Sequence, residues 1–134
     1  MRKDFMKEIA KNEFYELKYD EGRNWIFWTM KGYWKGMESV PNFDKDWNQA
    51  LTMVHGSWRL FADLSQLKAM PDDVKAAQDR KQKELLQKGC SKVSCVMTSE
   101  VTKMSLNQVI KESGMDKIIH YFNSLTEAEK WLYE

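Results

Sequence analysis

Asp63 and Ser65 are the side chains whose types and place in the chain best suit chemistry. They sit in the stretch 58–65 (WRLFADLS), an apolar run with a carboxylate at its carboxyl end. In α/β sheets, ligand crevices open at the carboxyl ends of parallel strands, so that is where an aspartate and a serine would meet a ligand. A serine becomes a nucleophile only beside a base, and no His or Lys is placed next to either residue by the sequence, so a nucleophile-base pair is not supported. An enzyme built on Asp63 or Ser65 requires a carboxylate of perturbed pKa in a concave site. The competing reading is structural: both side chains hydrogen-bond backbone N–H groups in a turn. Thr98, Ser99, Glu100 and Lys103 occupy the next equivalent loop, and Tyr33, Trp34 and Lys35 the loop after the preceding strand. Asp72 opens the helix that follows WRLFADLS. Trp34, Asp63, Ser65, Asp72, Thr98 and Ser99 therefore form the candidate ligand or partner crevice, with ordinary solvated loop residues as the alternative.

Metal and redox chemistry have little to draw on. Cys90 and Cys95 lie five positions apart, one in a turn and one inside a strand, and His55 and His120 are isolated from each other and from the cysteines. That pattern makes neither a disulfide framework nor a zinc site, and it assigns the thiols to the interior as small hydrophobes. No metal or cofactor is expected. With 21 Lys plus Arg against 20 Asp plus Glu, no net field draws in nucleic acid or an anionic membrane. No run approaches the roughly 18 consecutive apolar residues of a membrane span. The opening MRKDFMKEIAKNE carries charge where a signal peptide needs an apolar core. The expectation is a cytoplasmic protein without nucleic-acid partners or an integral membrane segment.

The elements that must hold these residues follow from periodicity. A chain of 134 residues supports one core. Residues 1–12, with Phe5, Met6 and Ile9 at helical spacing, predict a short helix or mobile arm, and residues 13–134 a single domain. In residues 13–19 (EFYELKY), Tyr15, Leu17 and Tyr19 alternate onto a buried face. A turn at 20–24 and the run WIFWTM at 25–30 complete a hairpin. Phe43, Trp47, Ala50, Leu51 and Val54 predict a helix over about 42–55, closed by Gly56. After WRLFADLS, Asp72 or Asp73 caps a helix carrying Val74, Ala77, Lys81 and Leu85 until Gly89. Its apolar stripe is thin, which predicts a largely solvated helix. A strand at 91–98, a short helix capped by Ser105 and ended by Gly114, a strand at 117–122, and a last helix behind the Ser124/Glu127 capping box complete the chain. The order β-β-α-β-α-β-α-β-α gives an α/β fold, a mixed five-stranded sheet with helices packed on it and right-handed crossovers.

In that order, the aromatic-rich strand ending in glycine, FADLS, the long helix, KVSCVM and the closing HYFNSLTEAEKWL resemble the SpoIIAA-like proteins of the STAS/SEC14 type, over roughly residues 14–132. The closing phrase is the most specific part. The resemblance implies a fold more firmly than an activity. Anti-sigma-factor antagonists of the STAS group carry a phosphorylatable serine in an Asp-Ser-(Ser/Ala)-Gly pattern at the start of the helix after the DLS-type strand. This chain reads Lys68-Ala69-Met70-Pro71-Asp72-Asp73-Val74 there, with no hydroxyl to modify and two carboxylates already at the helix end, so no phosphoswitch is expected.

Tryptophans concentrate between Trp25 and Trp58, and on the strand 25–30 both faces are apolar, so each requires a cover. An uncovered face would be a patch for a partner subunit or an apolar ligand. The SEC14 side of the resemblance implies a lipid-like ligand, the STAS side a protein. Nine methionines suit an adaptable pocket or simple gap filling. The leading expectation is a non-catalytic binding or regulatory module with a protein partner or a second copy of itself. A small apolar-ligand or lipid carrier is the alternative, and a hydrolase-like enzyme the third reading.

Overall fold

The computed structural model describes residues 6–134 and contains one mixed sheet of six strands, in the order β1-β2-β3-β4-β5-β6, with four α-helices. Its central hairpin follows directly from the alternation. Strands β2 (Tyr15–Asp20) and β3 (Trp25–Tyr33) pair antiparallel from Tyr15↔Met30 to Asp20↔Trp25. Asn24 turns the corner at φ 60, a left-handed conformation that asparagine tolerates. Its side chain accepts from the Tyr19 hydroxyl at 2.8 Å and donates to the His55 carbonyl at 2.6 Å.

The sixth strand is β1 (Met6–Lys11), antiparallel to β2 at the sheet edge. It replaces the helix or arm expected over residues 1–12; Phe5 lies outside the described residues. The reason lies in a bulge between Glu8 and Ala10. One extra residue breaks the two-residue alternation, so Met6, Ile9 and Ala10 turn inward at a spacing that mimics a helix.

Strands β4 (Trp58–Ala69), β5 (Cys90–Val96) and β6 (Ile119–Phe122) continue the sheet, each parallel to the one before, with β4 parallel to β3. Three crossover helices connect them: α1 (Phe43–Leu51), α2 (Asp72–Gln87) and α3 (Glu100–Ser113). Strands added one after another in one direction, by crossovers of one hand, place every crossover helix on one face. Accordingly Phe43, Trp47, Val74, Leu85, Leu106 and Ile110 share one core with Ile26, Trp28, Leu60 and Val93. The terminal helix α4 (Leu125–Tyr133) takes the opposite face, where Ala128 and Leu132 pack with Trp25, Phe61 and Val96. Both faces of β3 at Trp25 and Ile26 are thus covered, at 4% and 0% exposure.

Several boundaries depart from the expected ones. α1 stops at Leu51, short of His55, because the Thr52 hydroxyl and N–H both turn back to the Gln49 carbonyl. α3 starts at Glu100 rather than behind Ser105. Ser99 is the cap and accepts from the Thr102 N–H at 3.3 Å, while the exposed Val101 and Met104 hide the first turn from a reading based on apolar spacing. α4 begins as expected, with Ser124 accepting from the Glu127 N–H. Gly89 stops α2 at φ +103, and a Cβ there would overlap the Gly56 carbonyl, so two loops close against each other only through glycine.

Candidate functional site

The six residues expected to line a crevice separate in the fold. Trp34 is buried in the core at 1% exposure, against Tyr15, Trp28 and Phe43, and its Nε1 donates to the Lys31 carbonyl at 3.1 Å and the Phe14 carbonyl at 3.2 Å. It stands in the loop after β3, as expected, but its side chain packs into the core, because an indole gains far more from burial with its N–H bonded than from exposure. Asp63 and Ser65 are half-buried inside β4, which runs on to Ala69 instead of ending at Ser65. Between Thr29↔Asp63 and Lys31↔Gln66 the strand β4 carries one extra residue. The Ser65 N–H donates to Asp63 Oδ1 at 3.1 Å, and the Ser65 hydroxyl donates to the same oxygen at 2.7 Å. The pair closes a bulge, which is the structural role weighed against catalysis.

Asp72 is exposed in the first turn of α2, where a carboxylate complements the helix dipole, and its neighbour Asp73 accepts the Met37 N–H at 2.8 Å. Thr98 is exposed, and Ser99 is spent on capping α3. The carboxyl edge of the parallel strands therefore holds helix starts and a bulge clamp, with no convergent catalytic set joining the six.

A concave site exists elsewhere, between the sheet and the crossover helices. A cavity of about 40 Å³ is walled on the sheet side by Trp28, Leu60, Ala62 and Cys95, and on the helix side by Trp47, Leu85 and Ile110. Three polar residues of α2, Gln78, Lys81 and Gln82, also line it, at 7%, 4% and 8% exposure. Much of α2 is solvated, as its thin apolar stripe implies; what the stripe did not show is that these three polar residues are buried with it. Its core-facing stripe is completed by long polar side chains whose apolar stems cover the sheet.

Two of the polar side chains on the wall can be followed to their partners. Gln82 Oε1 accepts from the Ser113 hydroxyl at 2.6 Å, tying α2 to the end of α3. Lys81 Nζ lies 2.7 Å from Glu84 Oε1 and 3.4 Å from Asp44 Oδ1, which holds the ammonium between two carboxylates. Trp47 Nε1 and Gln78 Nε2, by contrast, are buried without a hydrogen-bond partner among the described residues. Burial pushes the Cys95 thiol up to about 12, with the nearby Asp63 charge acting in the same direction, so this wall residue is no nucleophile. Cys90 is buried likewise, its thiol raised to about 12.

Among the described residues, no three His, Cys, Asp or Glu side chains are grouped to hold a metal ion, and no helix is long and apolar enough to cross a membrane. The sequence held two clues to the cavity: Lys81 stands in line with Val74, Ala77 and Leu85, and Trp47 falls on the apolar face of α1. Neither spacing reveals that the Trp47 N–H is without a partner among the described residues. Compared with family models, curated proteins and solved structures, the chain matches no family model, no curated protein and no solved structure.

Proposed function

We propose that this chain is a SpoIIAA-like, non-catalytic binding module that takes a small, mostly apolar molecule into the cavity beneath α2 and serves a regulatory role through it. The observation that carries the reading is the cavity itself: apolar walls with a few buried polar groups from one helix, the usual make-up of a ligand site. The size argues for a small guest. At roughly 10–15 Å³ for each water-sized sphere, about 40 Å³ holds three or four such spheres. A lipid acyl chain does not fit, so the carrier reading narrows to small molecules. The enzyme reading loses ground because, among the described residues, Asp63 hydrogen-bonds only Ser65, and both thiols are buried.

Native mass spectrometry of protein extracted from cells, together with thermal shifts against a panel of apolar compounds of at most about three or four heavy atoms, tests the reading. A ligand present at a hundred times its Kd stabilises by about 2.7 kcal/mol, which raises Tm by about 8–10 °C for a chain of this length. Absence of both a co-purified small molecule and any saturable stabilisation by the panel removes the proposal. Turnover of esters, phosphates or thioesters by the purified protein removes its non-catalytic part.

A further inference from the structure

The two edges of the sheet are guarded unequally. At one end β1 carries Lys7, Glu8 and Lys11, all exposed, and a bulge between Glu8 and Ala10. Charges and bulges are the devices by which native sheets keep a further strand from adding to an edge. At the other end β6 reads Ile119-His120-Tyr121-Phe122, with no lysine, acid, proline or bulge. Its guard is its shortness.

The register shows which backbone groups of β6 face outward. β6 runs parallel to β5 with Val93↔Ile119 and Cys95↔Tyr121. The Ile118 and Phe122 carbonyls turn toward β5, accepting the Val93 N–H at 2.9 Å and the Met97 N–H at 3.0 Å. Alternation along the strand then turns the N–H and C=O of both Ile119 and Tyr121 outward. Among the described residues, no turn or loop backbone bonds those groups. The side chains around them are largely apolar and half-buried: Ile118, Ile119, Tyr121 and Phe122, with Trp131 of α4 stacked on His120 at 4.6 Å and on Phe122 at 5.6 Å.

A second copy fits this edge better than an unrelated strand, because the segment is complementary to itself. Laid antiparallel about a two-fold axis at His120, Ile119 of each copy faces Tyr121 of the other as a hydrogen-bonded pair. Every outward N–H then meets an outward carbonyl. Ile118 falls opposite Phe122 and Lys117 opposite Asn123, so apolar meets apolar and no two lysines or two acids are opposed. We propose that β6 is a self-association edge: two copies of this chain pair their β6 strands antiparallel about an axis through His120, joining their sheets into one. The short strand makes this dimer weak and concentration-dependent.

Sedimentation of the full chain over about 10–500 μM, the range of a weak dimer, should show a monomer–dimer equilibrium. His120→Asp opposes two carboxylates across the axis and should weaken the dimer at least about tenfold. His120→Thr, uncharged and β-branched, should stay within about threefold. In His120→Cys the two substituted positions form a non-hydrogen-bonded pair about 4.5 Å apart at Cα, within disulfide reach, so mild oxidation should give a covalent dimer. Cys90 and Cys95 are buried and do not compete. Lys11→Cys on the β1 edge should not cross-link. His120 is exposed, so its variants keep the fold. A monomer throughout the range, a dimer that His120→Asp leaves intact, or Lys11→Cys cross-linking as readily as His120→Cys overturns the inference, whatever the cavity binds.

Discussion

Replacing Ser113 by alanine severs the polar link between α2 and the end of α3, and the cost can be worked from three contacts. The Ser113 Oγ lies 2.6 Å from Gln82 Oε1 and 3.1 Å from the Ile110 carbonyl, and it accepts the Met115 N–H at 3.2 Å. A hydroxyl has one proton, and the shorter distance assigns it to Gln82. Ser113 and Gln82 are 9% and 8% exposed, so water does not replace the lost partner. Ser113→Ala leaves a buried amide oxygen and a buried backbone N–H unsatisfied, each costing about 1–3 kcal/mol. Rotation of the Gln82 amide recovers part of the first, so the expected loss is about 2–3 kcal/mol. With an unfolding entropy of about 2.1 cal/mol/K per residue and 134 residues, each kcal/mol is worth about 3–4 °C. Calorimetry should therefore find Tm lower by about 7–11 °C. The companion Gln82→Leu removes the orphaned oxygen, so the double variant should cost at least about 1 kcal/mol less than the sum of the two singles. A Tm drop under about 2 °C for Ser113→Ala, or strict additivity in the double variant, would refute the reasoning that this bond is buried and specific.

Two further perturbations test other parts of the fold. Burial raises both thiols from 9.0 to about 12 in the folded state. The unfolded chain therefore releases their protons first, so stability is intact below about pH 9 and falls between about 9 and 12, by up to about 1.4 kcal/mol per pH unit for each thiol. Urea midpoints measured at pH 8 and 10.5 should show that fall, and Cys95→Ala should remove about half of it; a pH-independent midpoint contradicts the burial. Arg23 Nε lies 2.6 Å from Asp20 Oδ2, while Nη1 donates to Glu129 Oε2 at 2.8 Å and to the Tyr133 hydroxyl at 2.7 Å, with the guanidinium over Trp25 at 4.3 Å. It clamps α4 to the β2-β3 turn. Arg23→Lys cannot reproduce the fork, and with Glu129 partly solvated the expected loss is about 1–2 kcal/mol, with faster proteolysis near the carboxyl terminus. Unchanged cleavage there would show that apolar packing alone holds α4.

The hairpin, the crossover pattern and the terminal helix were legible because each rests on local rules. Tyr15, Leu17 and Tyr19 alternate, Gly89 and Gly114 stop helices at positive φ, and Ser124 caps α4. β1 was not legible, since its bulge disguises a strand as helical spacing, and a bulge is set by the partner strand. The start of α3 was missed for the opposite reason: its cap is local, but Val101 and Met104 point outward and break the apolar stripe.

For the site, the sequence supplied the side chains and placed attention on Asp63 and Ser65. It could do no more, because whether a carboxylate clamps a bulge or meets a ligand depends on the register between β3 and β4. By itself the sequence determined the α/β order, the buried thiols and the absence of any motif for metal or nucleophilic chemistry, all consequences of residue type and spacing along one segment. Only tertiary structure decided that Trp47 from α1 and Gln78 from α2 share a wall with the sheet, and that their N–H groups are buried without a partner among the described residues. A hydrogen-bond deficit belongs to a place rather than to a residue, and that place exists only once three separate segments have packed together.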